Sequence, residues 1–217
     1  MKLQRFLHSC LHLRQSGRAI LFDPGSFSFI EGRLTPADLP QCEAVFITHE
    51  HGDHLHPEAL QVLKSKFAPR IICAAAVHKI LQEQGIESEV IAPGTTLTIG
   101  PFKVKAYEAA HGDLPFPCPF NMAYVVNDDL LVTGDSLTLQ FPDTQIKTLT
   151  LPIAGPWLTW KQALEYAAQL QPERVVAMHD NIIKDFYLDR MYEGSTKWLK
   201  EKGIEFHPLR LGETLTV

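Results

Sequence analysis

The segment Thr48-His49-Glu50-His51-Gly52-Asp53-His54 puts three imidazoles and the carboxylate of Asp53 into the six residues from His49 to His54, directly after the apolar run Ala44 to Ile47. Side chains alternate in extended backbone, so His49 and His51 point the same way, while Asp53 and His54 fall where the chain turns towards Pro57. Four donors can therefore face one pocket. Neutral imidazole and carboxylate suit zinc, manganese or iron, and a natural division gives two His to one ion and Asp plus His to a second. At this chain's histidine content the pattern His-x-His-x-Asp-His arises by chance in roughly one such sequence in a thousand, which favours a metal loop over a solvated polar turn. Three further donors, His111, Asp135 and His179, each follow an apolar run, and strand ends of this kind can converge on one edge.

The elements that must position these donors are short. Ala19 to Phe22, Ala44 to Ile47, Arg70 to Cys73, Phe102 to Tyr107, Met122 to Val126, Leu130 to Val132 and Val175 to Met178 read as buried strands. Helical spacing predicts helices over Pro57 to Phe67, Ala75 to Gln84, Thr159 to Leu170 and Phe186 to Lys202, with Thr159 as an N-cap and Gly194 as an interruption of the last. Hairpins belong in the strand-rich middle, Val90 to Val132, where Pro93-Gly94 and Gly100-Pro101 supply turns; the outer thirds alternate strand and helix. Layers follow, with sheets inside and helices outside. With no internal repeat and no Gly/Ser linker, residues 1–217 are expected to form a single domain.

Composition narrows the function. With 217 residues, 45% hydrophobic and 21% charged, the chain can bury a sizeable core. A formal charge of −5 offers no overall basic field for nucleic acid. Met1 to Arg14 interleaves His8, His12 and Arg5 with apolar residues, so it predicts neither a signal peptide nor a membrane span, and the cytoplasm is the expected location. Cys10, Cys42, Cys73 and Cys118 form no Cys-x-x-Cys pair, which points to reduced thiols and to metal ligands other than sulfur.

Taken in order, Asp23 in Leu21-Phe22-Asp23-Pro24-Gly25, the loop His49, His51, Asp53 and His54, then His111, Asp135 in Thr133-Gly134-Asp135-Ser136, and His179 resemble the metallo-β-lactamase superfamily. The resemblance implies an α/β fold, a four-layered αβ/βα sandwich, with two divalent ions at one edge of the sheets. It implies His49, His51 and His111 on one ion, Asp53, His54 and His179 on the other, and Asp135 bridging both, with Asp23 supporting the loop. Zinc is the first expectation, with manganese, nickel or iron as alternatives. A hydroxide completing the bridge would attack without a protein nucleophile, and Asp53 would orient the water or pass a proton to the leaving group. Asp rather than Cys at 135 points away from antibiotic hydrolysis, and His rather than Glu at 51 points away from di-iron oxygen reduction.

His8-Ser9-Cys10 with Ile20 to Pro24, and Leu151 to Trp157 with Val175 to His179, are similar to the branch of L-ascorbate-6-phosphate lactonase, in which a His sits close to the metals. That branch suggests a metal-dependent hydrolase cleaving a phosphodiester, a phosphate ester or a lactone in a small substrate. A nuclease and a non-catalytic metal-binding scaffold are the competing readings. Asp180-Asn181 departs from the aromatic-Gly pair common after the last His in that branch, and His56 is an added imidazole; neither His8 nor His56 is expected to ligate. Trp157 and Trp160 either line the substrate mouth or pack helices, and the Pro-rich loop Gly112 to Phe120 either shapes the pocket or only connects. Phe27, Phe29 and Ile30 form either an apolar lip for a homo-oligomer or a covered loop. With seven ligand positions filled, purified protein at saturation should hold close to two transition-metal ions per chain by elemental analysis; a folded preparation that cannot exceed one contradicts a dinuclear site.

Overall fold

The computed structural model describes residues 1–141 and 145–217. In chain order the elements are β1 (Lys2–Arg5), β2 (Leu11–Gln15), β3 (Arg18–Phe22), β4 (Ala44–Phe46), α1 (Pro57–Phe67), β5 (Arg70–Cys73), α2 (Ala75–Glu83), β6 (Glu89–Val90), β7 (Thr96–Ile99), β8 (Phe102–Glu108) and β9 (Met122–Val126). There follow β10 (Leu130–Val132), β11 (Thr148–Pro152), α3 (Trp160–Leu170), β12 (Arg174–Met178), α4 (Asp185–Lys200), β13 (Glu205–His207) and β14 (Thr214–Thr216). They build two seven-stranded mixed sheets, ordered β14-β1-β2-β3-β4-β5-β6 and β13-β12-β11-β10-β9-β8-β7.

Side-chain alternation in the strands separates three apolar layers. Ile20, Phe22, Ala44, Phe46 and Ile72 point inward and meet Met122, Tyr124, Val126, Val132, Val176 and Met178 between the sheets. The intervening residues Leu21, Val45, Ile47, Ile71 and Cys73 face out onto Leu60 and Leu63 of α1 and Val77 and Leu81 of α2. On the second sheet Val125, Leu131, Leu149, Leu151, Val175 and Ala177 do the same against Ala163 and Ala167 of α3 and Leu188 and Leu199 of α4. This is the four-layered αβ/βα sandwich of the metallo-β-lactamase fold.

The edge that carries the donors is set by strand direction. β3, β4 and β5 run parallel, as do β10, β11 and β12, and β1 and β8 share their neighbours' sense across two antiparallel steps. The carboxyl ends of β1, β3, β4, β8, β10, β11 and β12 therefore open on the same side, the usual position for a ligand site in such sheets.

Two sequence expectations change. β1, β2 and β11 are strands that a search for unbroken apolar runs passes over, because in Lys2-Leu3-Gln4-Arg5 and Thr148-Leu149-Thr150-Leu151 polar and apolar residues alternate. Gly194 does not interrupt α4, which runs through it. A Cβ there would lie 2.5 Å from the Trp160 ring, whose Nε1 donates to Ser195 Oγ at 2.9 Å, so the glycine lets α3 and α4 close. Trp160 is thus a helix-packing residue. In a free helix Gly→Ala stabilises by about 1 kcal/mol; here Gly194→Ala should instead destabilise by about 1–3 kcal/mol through overpacking, read as a lowered midpoint in thermal unfolding.

Candidate metal centre

Six imidazoles and two carboxylates gather at this edge in two groups of four, His49, His51, His111 and Asp135, and His8, Asp53, His54 and His179. Within each group one donor atom per residue lies within 4.8 Å of the others. The structure thus brings together all seven sequence-predicted site residues, each from a strand's carboxyl end. Asp135 reaches across both groups: Oδ2 is 3.5 Å from His111 Nε2 and 3.3 Å from His179 Nε2, and Oδ1 is 3.0 Å from His54 Nε2.

The loop is held by Asp23. Its carboxylate accepts hydrogen bonds from Thr48 N at 2.8 Å, Thr48 Oγ1 at 2.7 Å and His54 Nδ1 at 2.8 Å. The turn that follows it presses on the metal loop: a Cβ on Gly25 would come within 1.8 Å of the Asp53 carbonyl oxygen. Here only glycine fits. On the opposite sheet Asn121 accepts from Asp135 N at 3.2 Å, and Gly134 (φ +57°) has no room for a Cβ beside that same amide.

The rings are oriented as ligands need. His54 donates Nδ1–H to Asp23, His111 to Gly112 O at 2.6 Å, and His179 to Ala154 O at 2.6 Å, so all three turn Nε2 towards the shared space. His111 Nε2 and His179 Nε2 are buried and form no aligned hydrogen bond among the described residues. His49 Nε2 faces His51 Nδ1 at 3.1 Å. Buried nitrogens aimed at one another and at two carboxylates fit a divalent cation; the cysteines take no part in either group, which leaves an all-N/O donor set.

Electrostatics agree. Burial disfavours charge on His54 and His179, yet Asp135 with Asp23 raises the first well above the ordinary imidazole range, and Asp135 with Asp53 raises the second to about 9. Burial would also raise both aspartates, but His179 and His8 hold Asp53 low, and His179 and His54 hold Asp135 low. The carboxylates stay ionised and attract positive charge. Burial and the imidazole of His54 push His49 down, and burial and that of His111 push His51 down, so both are neutral donors.

A profile of the beta-lactamase superfamily domain matches residues 2–179. The chain belongs to the beta-lactamase superfamily. Within the superfamily it is 30% identical to a UPF0173 metal-dependent hydrolase of Desulforamulus reducens over 202 residues, 83% of this chain and 85% of that protein. It is 28% identical to Protein Rv0786c of Mycobacterium tuberculosis over 208 residues, 90% and 93% of the two chains. It superposes on Igni18, a metallo hydrolase of Ignicoccus hospitalis, with a TM-score of 0.74 and 22% identity, covering 99% of this chain and 97% of the other. Like the UPF0173 family that it joins, this superfamily member is a metal-dependent hydrolase, and its His/Asp groups are its metal-binding clusters.

His8 is the residue that the sequence reading leaves outside the ligand set and the structure puts in a donor group. It is fully buried, with Nε2 3.2 Å from Asp53 Oδ2 and its ring 4.0 Å from that of His179. Burial and the neighbouring His179 lower it to about 4. It is therefore neutral, and because Nδ1 has no hydrogen-bond partner among the described residues, the proton is assigned to Nε2, which donates to Asp53. His56 lies at the N-cap of α1 beside Glu58, away from both groups. Phe27 packs on His8 and Phe29 edges onto His56, while Ile30 is 70% exposed. Asp180 points the other way, into a buried ion pair with Arg5 supported by Tyr192. No helix among the described residues is long and apolar enough to cross a membrane.

These placements separate two neighbouring aspartates. Asp135→Asn removes the charge that both groups share and should weaken the second ion more than the first in a zinc titration. Asp180→Asn should keep both ions but lower stability by about 3 kcal/mol, because it strands the buried Arg5; loss of metal in the second variant and not the first would reverse the assignment.

Proposed function

We propose that this hydrolase cleaves an ester-type bond in a small substrate, a phosphodiester, a phosphate ester or a lactone, with two divalent ions, zinc by preference. His49, His51 and His111 would hold one, Asp53, His54 and His179 the other, and Asp135 would serve both. The observation that carries this reading is the reach of Asp135 to His54, His111 and His179 from a single carboxylate. Ions bound there would supply Lewis acidity, polarising the substrate oxygen and acidifying water.

The chain's own groups then divide the remaining work. Asp53 has the most accessible carboxylate of the two groups, at 17% side-chain exposure, with Oδ2 3.2 Å from both His8 and His179. That position lets it orient an attacking water, or take that water's proton and pass it to the leaving group. His8 holds Asp53 by a neutral N–H, which fixes the oxygen without cancelling its charge. The opening of the chain, His8-Ser9-Cys10, supports a place near L-ascorbate-6-phosphate lactonase within the superfamily, and hence the choice of small cyclic or phosphate esters.

The test is a panel of generic phosphodiester, phosphomonoester and lactone probes with chelator-stripped protein and added zinc, manganese or nickel. Turnover should vanish on stripping and return with metal, and His51→Ala should reduce it by orders of magnitude while circular dichroism stays unchanged. Near-normal turnover by His51→Ala would move the chemistry away from this loop.

A further inference from the structure

Trp157 makes a contact with Asp135 that neither packing nor a substrate mouth explains. It lies in the turn Gly155-Pro156-Trp157 after β11, the parallel neighbour of the β10 strand that leads to Asp135. Its indole Nε1 donates to Asp135 Oδ2 at 3.0 Å. That oxygen is the one closest to both His111 and His179, so the indole grips the carboxylate on the atom that looks into both donor groups. The ring also leans on both groups, with its centroid 5.7 Å from that of His111 and 6.3 Å from that of His179.

Its seat is cleared by glycines on two segments. A Cβ on Gly112 would lie 1.9 Å from Trp157 Cε3, and one on Gly155 would lie 3.1 Å from Nε1. The donor type is equally specific. Asp135 is 2% exposed and must remain an anion to serve two cations, so a Lys or Arg partner would neutralise the charge that the site needs. An indole N–H satisfies one lone pair and leaves the charge intact.

We propose that Trp157 is a positioning residue for the metal centre: its N–H fixes the rotation of the Asp135 carboxylate so that one side chain serves both ions. The inference rests on the dinuclear reading above. Losing a hydrogen bond to a metal-ligating carboxylate typically costs 10- to 100-fold in metal affinity. Trp157→Phe keeps an aromatic ring but loses the donor and one ring of the indole, and Trp157→His puts back a ring N–H.

The experiment measures zinc affinity by chelator competition in wild type, Trp157→Phe, Trp157→His, Asp135→Ala and the Trp157→Phe/Asp135→Ala double variant, alongside thermal unfolding of the stripped proteins. Trp157→Phe should bind zinc about 10- to 100-fold more weakly, with an unfolding midpoint near that of wild type, and Trp157→His should recover part of the loss. In the Asp135→Ala background the Phe substitution should cost nothing more, because the residue acts through that carboxylate. In 15N spectra the Trp157 indole resonance, identified by its disappearance in Trp157→Phe, should move as zinc is added and stop moving when binding saturates. Equal zinc affinity in wild type and Trp157→Phe, additive losses in the double variant, or an indole resonance indifferent to zinc would each overturn the positioning role and leave the dinuclear reading standing. Wild-type protein that takes up no zinc would overturn both.

Discussion

Two ionised carboxylates set among six imidazoles form a constraint that the rest of the molecule has to meet. Asp135 is 2% exposed, and Asp53, half-buried, is in contact with His8 and His179, so bulk water does little to stabilise either charge. In such surroundings an uncompensated anion costs several kcal/mol, and compensation has to come from protons on His54 and His179 or from cations. The raised proton affinity of those two rings and the metal affinity of the centre are the same potential seen by two kinds of positive charge.

Holding that potential in place requires backbone that ordinary strands cannot supply. His8, Asp23 and His179 all adopt left-handed φ, at 58°, 42° and 60°, in the turns just beyond β1, β3 and β12. Non-glycine residues rarely sit there, and each does so only where surrounding contacts over-determine it. Asp23 is tied by three hydrogen bonds, His179 by Ala154 O and by a backbone bond to His8 O at 3.1 Å, and His8 by its contact with Asp53. The strained residues brace one another, and the two seven-stranded sheets behind them provide the frame.

The metal loop is legible in the sequence because its donors are crowded into six residues, and the later donors because each follows an apolar strand. His8 is not legible as a member of a donor group: the resemblance puts a His close to the metals, but in the turn Phe6 to Cys10 it stands without a second donor in ligand spacing, and the pairing of β1 with β2 and of β2 with β3 carries it to the edge where the donors meet. β1 and β2 are half-patterned, so a search for continuous apolar runs misses them. The role of Trp157 is hidden for a different reason. Its partner is 22 residues away, and the two glycines that admit its ring, Gly112 and Gly155, lie on separate segments. Gly194 reads as a helix breaker because helix propensity is local, whereas the Trp160 ring that needs the space belongs to another helix.

The departure Asp180-Asn181 gains its meaning from the same geometry. Placed immediately after His179, Asp180 turns its carboxylate away from the metals to Arg5, and Tyr192 on α4 donates to its other oxygen. Arg5 in turn reaches the Leu209 carbonyl, so the pair joins β1, the end of β12, α4 and the segment before β14. A buried ion pair of this kind adds little net stability over an apolar alternative, but removing one half leaves a charge that nothing else can satisfy. Its effect is therefore on position. It anchors the residue next to His179 while His179 itself is held by Ala154 and His8, so the left-handed turn at this strand end is fixed from both sides. The first strand and the last donor are thus coupled through charge on one face of the turn and through the His8–Asp53–His179 contacts on the other.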